Sequence, residues 1–402
     1  MPDDKSFTEG IYPPEFRYTF PEEAEPEGAP WKPWHKPRKQ WMRYHQWNHE
    51  IELLIPRLNL EDRPLRYLSL PGDDLLDFRV VAELCKTSGV KKVRLVGFNA
   101  LTDSPKSGQR LAFAQHEVYS LDVVAENSDV HPDDFNAIAD TQSVAHKFAK
   151  EKGPYDVINL DLCDSFSGTD EESSYYRAAL NLFNLQVKAR AEPWVFLLTT
   201  RGDLPKVNIA DFRKFWSILV DNANKSPAFR DGLRADYMGV PPETITDPVA
   251  HAQTLSPSRF EKLFGLCIGK WLLSLIAASG RWTVRLCGSY WYRTQSSSHP
   301  NMLSLAFLFE PFSIDLTDSA GLANVDDPPI PRVYNEGAQA VGLLEMANQL
   351  VDLDLYLQNN RIAFEESIDK SEALLRRAGY PIAGYRDWAL SVLPVLLPVG
   401  SL

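Results

Sequence analysis

Between Leu65 and Arg201 the sequence alternates short strand-like runs with longer amphipathic segments, and this alternation limits the folds open to the chain more than any other feature. The strand-like runs are bounded by Gly, Pro, Asp or Ser, as buried strands are. They are LRYLSLPG, VKKVRLVGFN, SDVHP, PYDVINLDL and PWVFLLTTRGD. The segments between them carry apolar residues at helical spacing. Strands that alternate with helices predict a parallel sheet covered by helices on both faces.

Two more strand-like runs end this region. The apolar helical segment FEKLFGLCIGKWLLSLIAASG leads into RWTVRLCGSYWYRT, and a polar loop from Ser296 to Asn301 separates that run from MLSLAFLFEP. A short polar loop between two strands predicts an antiparallel pair. The predicted fold class is therefore α/β, with a doubly wound, mostly parallel seven-stranded sheet and a terminal antiparallel hairpin.

Composition divides the chain into four regions. Residues 1–30 are rich in proline and acid, which predicts an extended or disordered arm. Residues 31–60 hold an aromatic-basic segment and a helix, residues 61–312 the sheet domain, and residues 313–402 a linker and a C-terminal helical extension. Apolar spacing in the extension predicts one helix over 341–357, a second over 362–378 and a third over 385–397.

The overall composition narrows the classes of partner and the compartment. The formal charge of −12 opposes long-range attraction to nucleic acid or an anionic membrane, so any such contact is expected to be local. The four cysteines form no C-x-x-C pair and no histidine stands at metal-ligand spacing, so no metal site is expected. The first residues lack the pattern of a secretory signal, and no apolar run approaches the roughly 18 residues of a membrane span. We therefore expect a cytoplasmic protein with reduced thiols and no membrane partner.

The segment from Trp31 to Trp47 differs most from the rest of the chain, because it interleaves aromatic and basic residues. One hypothesis is a nucleic-acid arm, in which cations contact phosphates and indoles stack on bases. The other is a hydrophobic latch, in which the tryptophans cover the sheet domain. The residues assigned to nucleic-acid binding under the first hypothesis are Lys36, Arg38, Lys39, Trp41 and Arg43.

The order of the strand-like runs over about residues 60 to 312 resembles the class I S-adenosylmethionine-dependent methyltransferases. In that family the loop after the first strand approaches the methionine part of the cofactor, the second strand ends near the ribose, the third near the adenine and the fourth near the transferred methyl group. Gly72 is the single glycine of the first loop here, and Asn99 stands where the family has an acid. The cofactor-binding positions that the resemblance implies are Leu70, Pro71, Gly72, Asp73, Asn99, Asp133 and Asp161.

The candidate catalytic residues are Asp161 and Asp164, which follow the fourth strand at the edge where open α/β sheets place ligands. Each candidate also has a structural interpretation: Gly72 as a plain turn, Asp73 and Asp74 as helix caps, Asp161 as a structural carboxylate and Asp164 as a solvated loop acid. The sequence lacks the N-P-P-Y and Pro-Cys motifs of nucleobase methyltransferases, and Cys163 is expected to be a small packed residue.

Two functions stay open from the sequence. The first is S-adenosylmethionine-dependent methyl transfer to an unidentified acceptor, for which the carboxylates after the first strand are suitable, since they repel phosphate and tolerate a sulfonium. The second is a degenerate methyltransferase-fold binding module that holds a protein or nucleic-acid partner through residues 31–47 or the C-terminal helices. The catalytic hypothesis requires an open, electronegative crevice over the carboxyl ends of the first and fourth strands.

Overall fold

The computed structural model describes residues 31–100, 105–168, 175–294, 297, 299–312 and 334–391. The acidic arm predicted for residues 1–30 lies outside this part of the chain. One sheet runs through the described residues. Its strands are β1 (Leu65–Ser69), β2 (Val93–Phe98), β3 (Asp129–His131), β4 (Val157–Asp161), β5 (Trp194–Arg201), β6 (Trp282–Leu286), β7 (Tyr290–Tyr292), β8 (Met302–Pro311) and β9 (Val351–Asp352).

The helices fall into an N-terminal pair, a set that alternates with the strands, and a C-terminal set. They are α1 (Pro37–Met42), α2 (Asn48–Leu54), α3 (Leu76–Thr87), α4 (Pro105–Tyr119), α5 (Val144–Lys152), α6 (Tyr175–Ala189), α7 (Ile209–Lys225), α8 (Pro227–Leu233), α9 (Pro248–Thr254), α10 (Pro257–Ala277), α11 (Glu336–Asn348), α12 (Leu353–Asn359), α13 (Arg361–Arg377) and α14 (Tyr385–Ser391).

The predicted fold class is confirmed. The sheet order is β3-β2-β1-β4-β5-β8-β7-β9, with β6 also paired to β8. Strands β1 to β5 are mutually parallel, and β8 runs antiparallel to β5, β6 and β7. The described sheet has nine strands, not the seven predicted, because the sixth predicted run is interrupted at Cys287–Ser289 and β9 adds an edge pair.

The two faces of the sheet are covered by separate hydrophobic clusters, as the doubly wound fold requires. Leu68, Ile158 and Phe196 contribute to the cluster that also contains the apolar side of α10. Val157 and Val195, one residue earlier on their strands, contribute to the opposite cluster with α3. Successive side chains of a strand point to opposite faces, so continuous apolar runs bury both faces.

The helical segments differ from the prediction in two places. The segment predicted as one helix after β3 is a 3-10 turn at Phe135–Ala139 followed by α5. The helix predicted over 341–357 is broken into α11, β9 and α12, because Val351 pairs with Tyr290 of the sheet. The second C-terminal helix is confirmed as α13, while the end of the third lies outside the described residues.

The aromatic-basic segment lies against the sheet domain and the C-terminal helices. From Pro37 to Arg57 it is helical throughout, through α1, a π-helical turn at Arg43–Trp47, α2 and a final 3-10 turn. Trp31, Trp41 and Met42 share a hydrophobic cluster with α12, α13 and α14. Within the described part of the chain, no helix combines the length and apolarity needed to cross a membrane.

Candidate functional site

The carboxyl ends of β1 and β4 lie side by side at the centre of the sheet. The chain builds outward from β1 through β2 to β3 on one side, and from β4 to β5 on the other. Ser69 of β1 is in register with both Gly97 of β2 and Asn159 of β4. Open α/β sheets bind ligands at such a switch point. We call this place, bounded by the residues that follow β1, β2, β3 and β4, the carboxyl-edge crevice.

The loop after β1 turns at Leu75 and not at Gly72. Leu75 has φ 49° and ψ 40°, and its side chain is fully buried, so packing holds this left-handed conformation. Gly72 has no positive φ, and a Cβ added there would meet nothing within 4 Å. The sequence interpretation of Gly72 as a positive-φ turn is therefore wrong. Pro71 instead packs on Gly97, where an added Cβ would lie 2.8 Å from Pro71 Cγ.

Asp73 and Asp74 do not cap α3, contrary to one of their sequence interpretations. The Asp73 carboxylate accepts a hydrogen bond from the Ser107 hydroxyl of α4. Asp74 pairs with Arg110, also of α4, and accepts a hydrogen bond of 2.6 Å from the Tyr380 hydroxyl. The two carboxylates thus join the loop to α4 and to the C-terminal region.

Asn99 and Asp133 follow β2 and β3 at the same edge of the sheet. The amide nitrogen of Asn99 donates to the Pro71 carbonyl oxygen at 2.9 Å, which closes the loop after β1 onto β2. Asp133 Oδ1 accepts from the backbone N–H of Asp134 at 2.8 Å, and Oδ2 lies 3.9 Å from His131 Nε2. Leu70, immediately after β1, is partly buried against the core. The proposed ribose-binding amide is therefore engaged within the protein.

Asp161 ends β4 and forms an ion pair with Lys39 of α1. The Lys39 side chain is 8% exposed and that of Asp161 is 26% exposed. Burial lowers the pKa of Lys39, and the charge of Asp161 opposes that shift. Asp164, the other catalytic candidate, is exposed in the following loop. Cys163 is exposed as well, so the prediction that it is packed is wrong, because the loop carries it beyond the sheet.

A buried carboxylate, Asp77, interacts electrostatically with Asp161 of the ion pair. Asp77 accepts a hydrogen bond from the Ser69 hydroxyl and lies 3.5 Å from the Tyr67 hydroxyl, which in turn accepts from the Asn159 amide at 2.8 Å. Burial raises the pKa of Asp77, while the Ser69 hydrogen bond and the charge of Arg43 lower it. The carboxylates of Asp161 and Asp77 therefore lie within the electrostatic influence of the cations Lys39 and Arg43.

Every residue assigned to nucleic-acid binding is buried. Arg38 pairs with Asp354 of α12 at 3.0 Å, and Lys39 Nζ lies 4.9 Å from the centre of the Trp47 ring. Their exposed fractions fall between 5% and 7%; the residues are Lys36, Arg38, Lys39, Trp41 and Arg43. In this conformation none of these side chains is available to a polyanion, and the arrangement agrees with the latch hypothesis.

The residues of the crevice fit S-adenosylmethionine poorly. Its sulfonium is positively charged, and Lys39 and Arg43 already bring two buried positive charges to the ends of β1 and β4. Like charges repel strongly where solvent is excluded. The single glycine of the loop makes no close backbone approach, and Asn99 faces Pro71. The predicted crevice is at the expected edge of the sheet, but the helix α1 covers it.

The sequence did not predict which residues the charged groups of the crevice would pair with. The nucleic-acid hypothesis has Lys39 contact phosphate, and neither hypothesis predicts its pair with Asp161. No sequence signal points to Asp77 or Tyr67. A strongly basic segment in an acidic chain was the available signal, because such a segment has many intramolecular carboxylates to contact. Nothing in the local pattern indicated which carboxylate would be chosen.

Comparison with known proteins places the chain in a family. Residues 29–390 match the PP_RS20740-like family over most of the chain. The chain belongs to this family. No curated protein matches the sequence significantly.

Solved structures similar to this member of the PP_RS20740-like family include two methyltransferases. An rRNA methylase from Streptococcus thermophilus shares 8% identity, with 67% of this chain and 97% of that chain covered and a TM-score of 0.31. An O-methyltransferase of a trans-AT PKS multienzyme from Brevibacillus brevis, in complex with S-adenosyl-L-homocysteine, shares 11% identity, with 86% and 89% covered and a TM-score of 0.29. The fold assignment rests on the sheet order and strand directions.

Proposed function

We propose that the protein is a non-catalytic binding module with a methyltransferase-like fold, whose carboxyl-edge crevice is closed by its own helix α1. The observation that supports this function is the ion pair between Lys39 and Asp161, which occupies the end of β4. A buried cation at that position takes the place of a positively charged methyl donor. Separating the pair would leave an uncompensated buried charge, which costs roughly 3–5 kcal/mol.

The competing function is S-adenosylmethionine-dependent methyl transfer to an unidentified acceptor, with Asp161 and Asp164 as the candidate catalytic residues. It is favoured by the position of Asp161 at the switch point of the sheet. Methyl transfer needs alignment of acceptor, methyl carbon and sulfur more than it needs reactive side chains. Under this function the cofactor must displace Lys39 from Asp161.

Calorimetric titration with S-adenosylmethionine and S-adenosylhomocysteine separates the two functions. We expect no binding to the wild-type protein at millimolar ligand. Submillimolar binding that is lost in Asp161→Asn and retained in Asp133→Asn would overturn the proposal in favour of methyl transfer near β4. Circular dichroism of each variant verifies that it is folded.

We place the partner-binding surface on the C-terminal helices and take the partner to be a protein. The burial of the basic segment favours this location, as do several neighbouring apolar side chains that are exposed around β9, α12 and α13. These are Val351, Leu355, Tyr356 and Ile362, with exposed fractions of 40%, 48%, 39% and 74%. Clustered exposed apolar residues mark interaction sites more often than scattered ones do.

A photo-crosslinking amino acid at Ile362 tests this surface in cells. We expect a discrete protein adduct from position 362 and none from position 53, where Leu53 is also apolar and exposed, at 56%. The same adduct from both positions, no adduct from position 362, or an adduct with RNA would contradict a protein partner at this surface.

A further inference from the structure

A second group of polar residues lies outside the crevice, beyond the carboxyl end of β5. Its central member is Glu261, in the second turn of α10. Glu261 is 1% exposed, and neither carboxyl oxygen has a hydrogen-bond partner among the described residues. Buried carboxyl groups are nearly always hydrogen-bonded or paired, so a buried carboxyl without a partner indicates a missing one.

The ends of neighbouring elements surround Glu261. Gly202, just after β5, packs against Glu261 and Leu303. A Cβ added to Gly202 would lie 3.6 Å from Glu261 Cγ and 2.9 Å from Leu303 Cδ1. His299, before β8, reaches in from the protein surface, with its Nε2 3.7 Å from Glu261 Oε1 and its side chain 27% exposed. His299 thus forms the border between the carboxyl group and solvent.

The nearby cations do not neutralise Glu261. Arg201 is engaged with Asp203 through two hydrogen bonds of 2.8 and 2.7 Å. Lys262, the next residue of α10, points away, with Nζ 5.0 Å from the centre of the Trp291 ring and 3.3 Å from the Asn348 carbonyl oxygen. Burial lowers the pKa of His299, with Asp203 opposing and Arg293 adding to that shift, so its imidazole is mainly neutral at neutral pH.

The electrostatic surroundings favour an incoming cation. Burial, together with the charges of Asp203 and Asp352, raises the pKa of Glu261 to about 9 against the opposing charge of Arg201. At neutral pH the carboxyl group is therefore protonated in the free protein. A cation beside it would supply the missing counter-charge, and the carboxyl proton would leave to solvent.

We propose that Glu261 and His299 form a binding site for a primary ammonium group, with the carboxylate of Glu261 as its counter-ion and the charge of Asp203 acting on the site. An ammonium carries one positive charge and three donors, which matches the two unpartnered carboxyl oxygens and the neutral imidazole. A metal ion suits the place less well, because no group of three or more His, Cys, Asp or Glu side chains in the described ranges is arranged to hold one. The ammonium belongs either to a free amine or to a lysine side chain of a partner.

Binding-linked proton release tests the site. Binding converts Glu261 from carboxylic acid to carboxylate, so one proton passes to the buffer for each ammonium bound. We would titrate the full chain at neutral pH with 1,5-diaminopentane and, in a second arm, with Nα-acetyl-lysine methylamide, each in two buffers of different ionisation enthalpy. We expect saturable binding with about one proton released per ligand. Binding of the diamine alone identifies a free amine as the source, and tighter binding of the lysine derivative identifies a side chain.

Two variants make the test specific. Glu261→Gln should bind the amine at least roughly tenfold more weakly and release no proton. Glu345→Gln makes the same change at an exposed helical position and should behave as wild type. No binding of either amine to the wild-type protein at millimolar concentration, or equal binding by Glu261→Gln, would overturn the proposal. Binding of Mn²⁺ that depends on Glu261, with no detectable binding of either amine, would also overturn the proposal. None of these outcomes depends on whether the crevice binds S-adenosylmethionine.

Discussion

A buried charge is tolerated when a partner compensates it, and two carboxyl groups at the rim of this sheet, one partly buried and one fully buried, are compensated in different ways. Asp161 has an ion-pair partner in Lys39. Glu261 has no hydrogen-bond partner among the described residues and is protonated instead, with a pKa raised mainly by burial to about 9. Replacing Lys39 is therefore expected to destabilise the protein, whereas replacing Glu261 is expected to stabilise it at mildly alkaline pH.

Glu261→Gln is expected to change how stability depends on pH. The native carboxyl has a pKa of about 9, raised from an ordinary value of 4.5, so between these values the native state holds a proton that the unfolded state has lost. The free energy of unfolding therefore falls as pH rises through that window, by at most about 1.4 kcal/mol per pH unit. Gln cannot ionise, so the variant should lose this slope and be more stable at mildly alkaline pH. Urea denaturation at several pH values between 4.5 and about 9 measures how the free energy of unfolding depends on pH. The same dependence in the wild type and the variant would contradict the burial of a neutral Glu261.

Lys39→Met is expected to lower the free energy of unfolding by about 2–3 kcal/mol. The change leaves Asp161 without its partner, and the partial exposure of Asp161 keeps the loss below the roughly 3–5 kcal/mol of a fully buried pair. Arg57→Met is the matched control, because its pair with Glu310 is 40% and 35% exposed and is worth about 0–1 kcal/mol. Urea denaturation compares the two variants, and similar losses would mean that the Lys39 pair is effectively solvated.

At the scale of elements, the aromatic-basic segment joins the sheet domain to the C-terminal helices. Trp31 Nε1 donates to the Pro381 carbonyl oxygen at 3.1 Å, and its ring centre lies 5.6 Å from those of Tyr385 and Trp388. At the other end, Gln46 donates 2.9 Å hydrogen bonds to the carbonyl oxygens of Gly288 and Ser304. The segment is thus part of the core packing on both sides.

Trp31→Ala is expected to loosen α14 and to destabilise the protein by about 3 kcal/mol, as the loss of a buried indole usually does. Hydrogen exchange should show reduced protection in α13 and α14, with little change in β1 to β5. Trp34→Ala is the control, since Trp34 is 47% exposed and its loss should leave exchange nearly unchanged. Equal effects of the two substitutions would contradict a specific role of Trp31 in holding the C-terminal helices.

At the scale of the whole molecule, the distribution of charge opposes nucleic-acid binding. The formal charge is −12, and the most basic segment is buried against the sheet domain. Long-range repulsion and the loss of exposed cations act in the same direction.

We therefore expect no gel shift of single-stranded RNA or DNA at about 0.15 M salt. Binding that weakens steeply with salt and is reduced in Lys36→Ala and Arg38→Ala would contradict this expectation. It would show that the aromatic-basic segment leaves the sheet domain to contact a polyanion. A neutral control substitution at an exposed position, Gln142→Ala, should leave any observed binding unchanged.

The sequence by itself determined the α/β class, the succession of the first five strands along the chain and the antiparallel end of the sheet. Apolar periodicity reports burial within a few residues, and β1 to β5 and α10 follow it because each buries a continuous local pattern. The turn after β1 escaped prediction, because the left-handed conformation falls on Leu75, whose conformation depends on core packing and not on its residue type.

Only the tertiary structure decided which polar groups meet. Lys39 and Asp161 are 122 positions apart in sequence, and Trp31 and Pro381 are 350 apart. Local periodicity carries no information about such pairs, since they are fixed by how elements pack after the sheet has formed. For the same reason the sequence located the crevice at the carboxyl edge but not the helix that covers it, and it placed Glu261 in an apolar helix without showing that its carboxyl group lacks a partner.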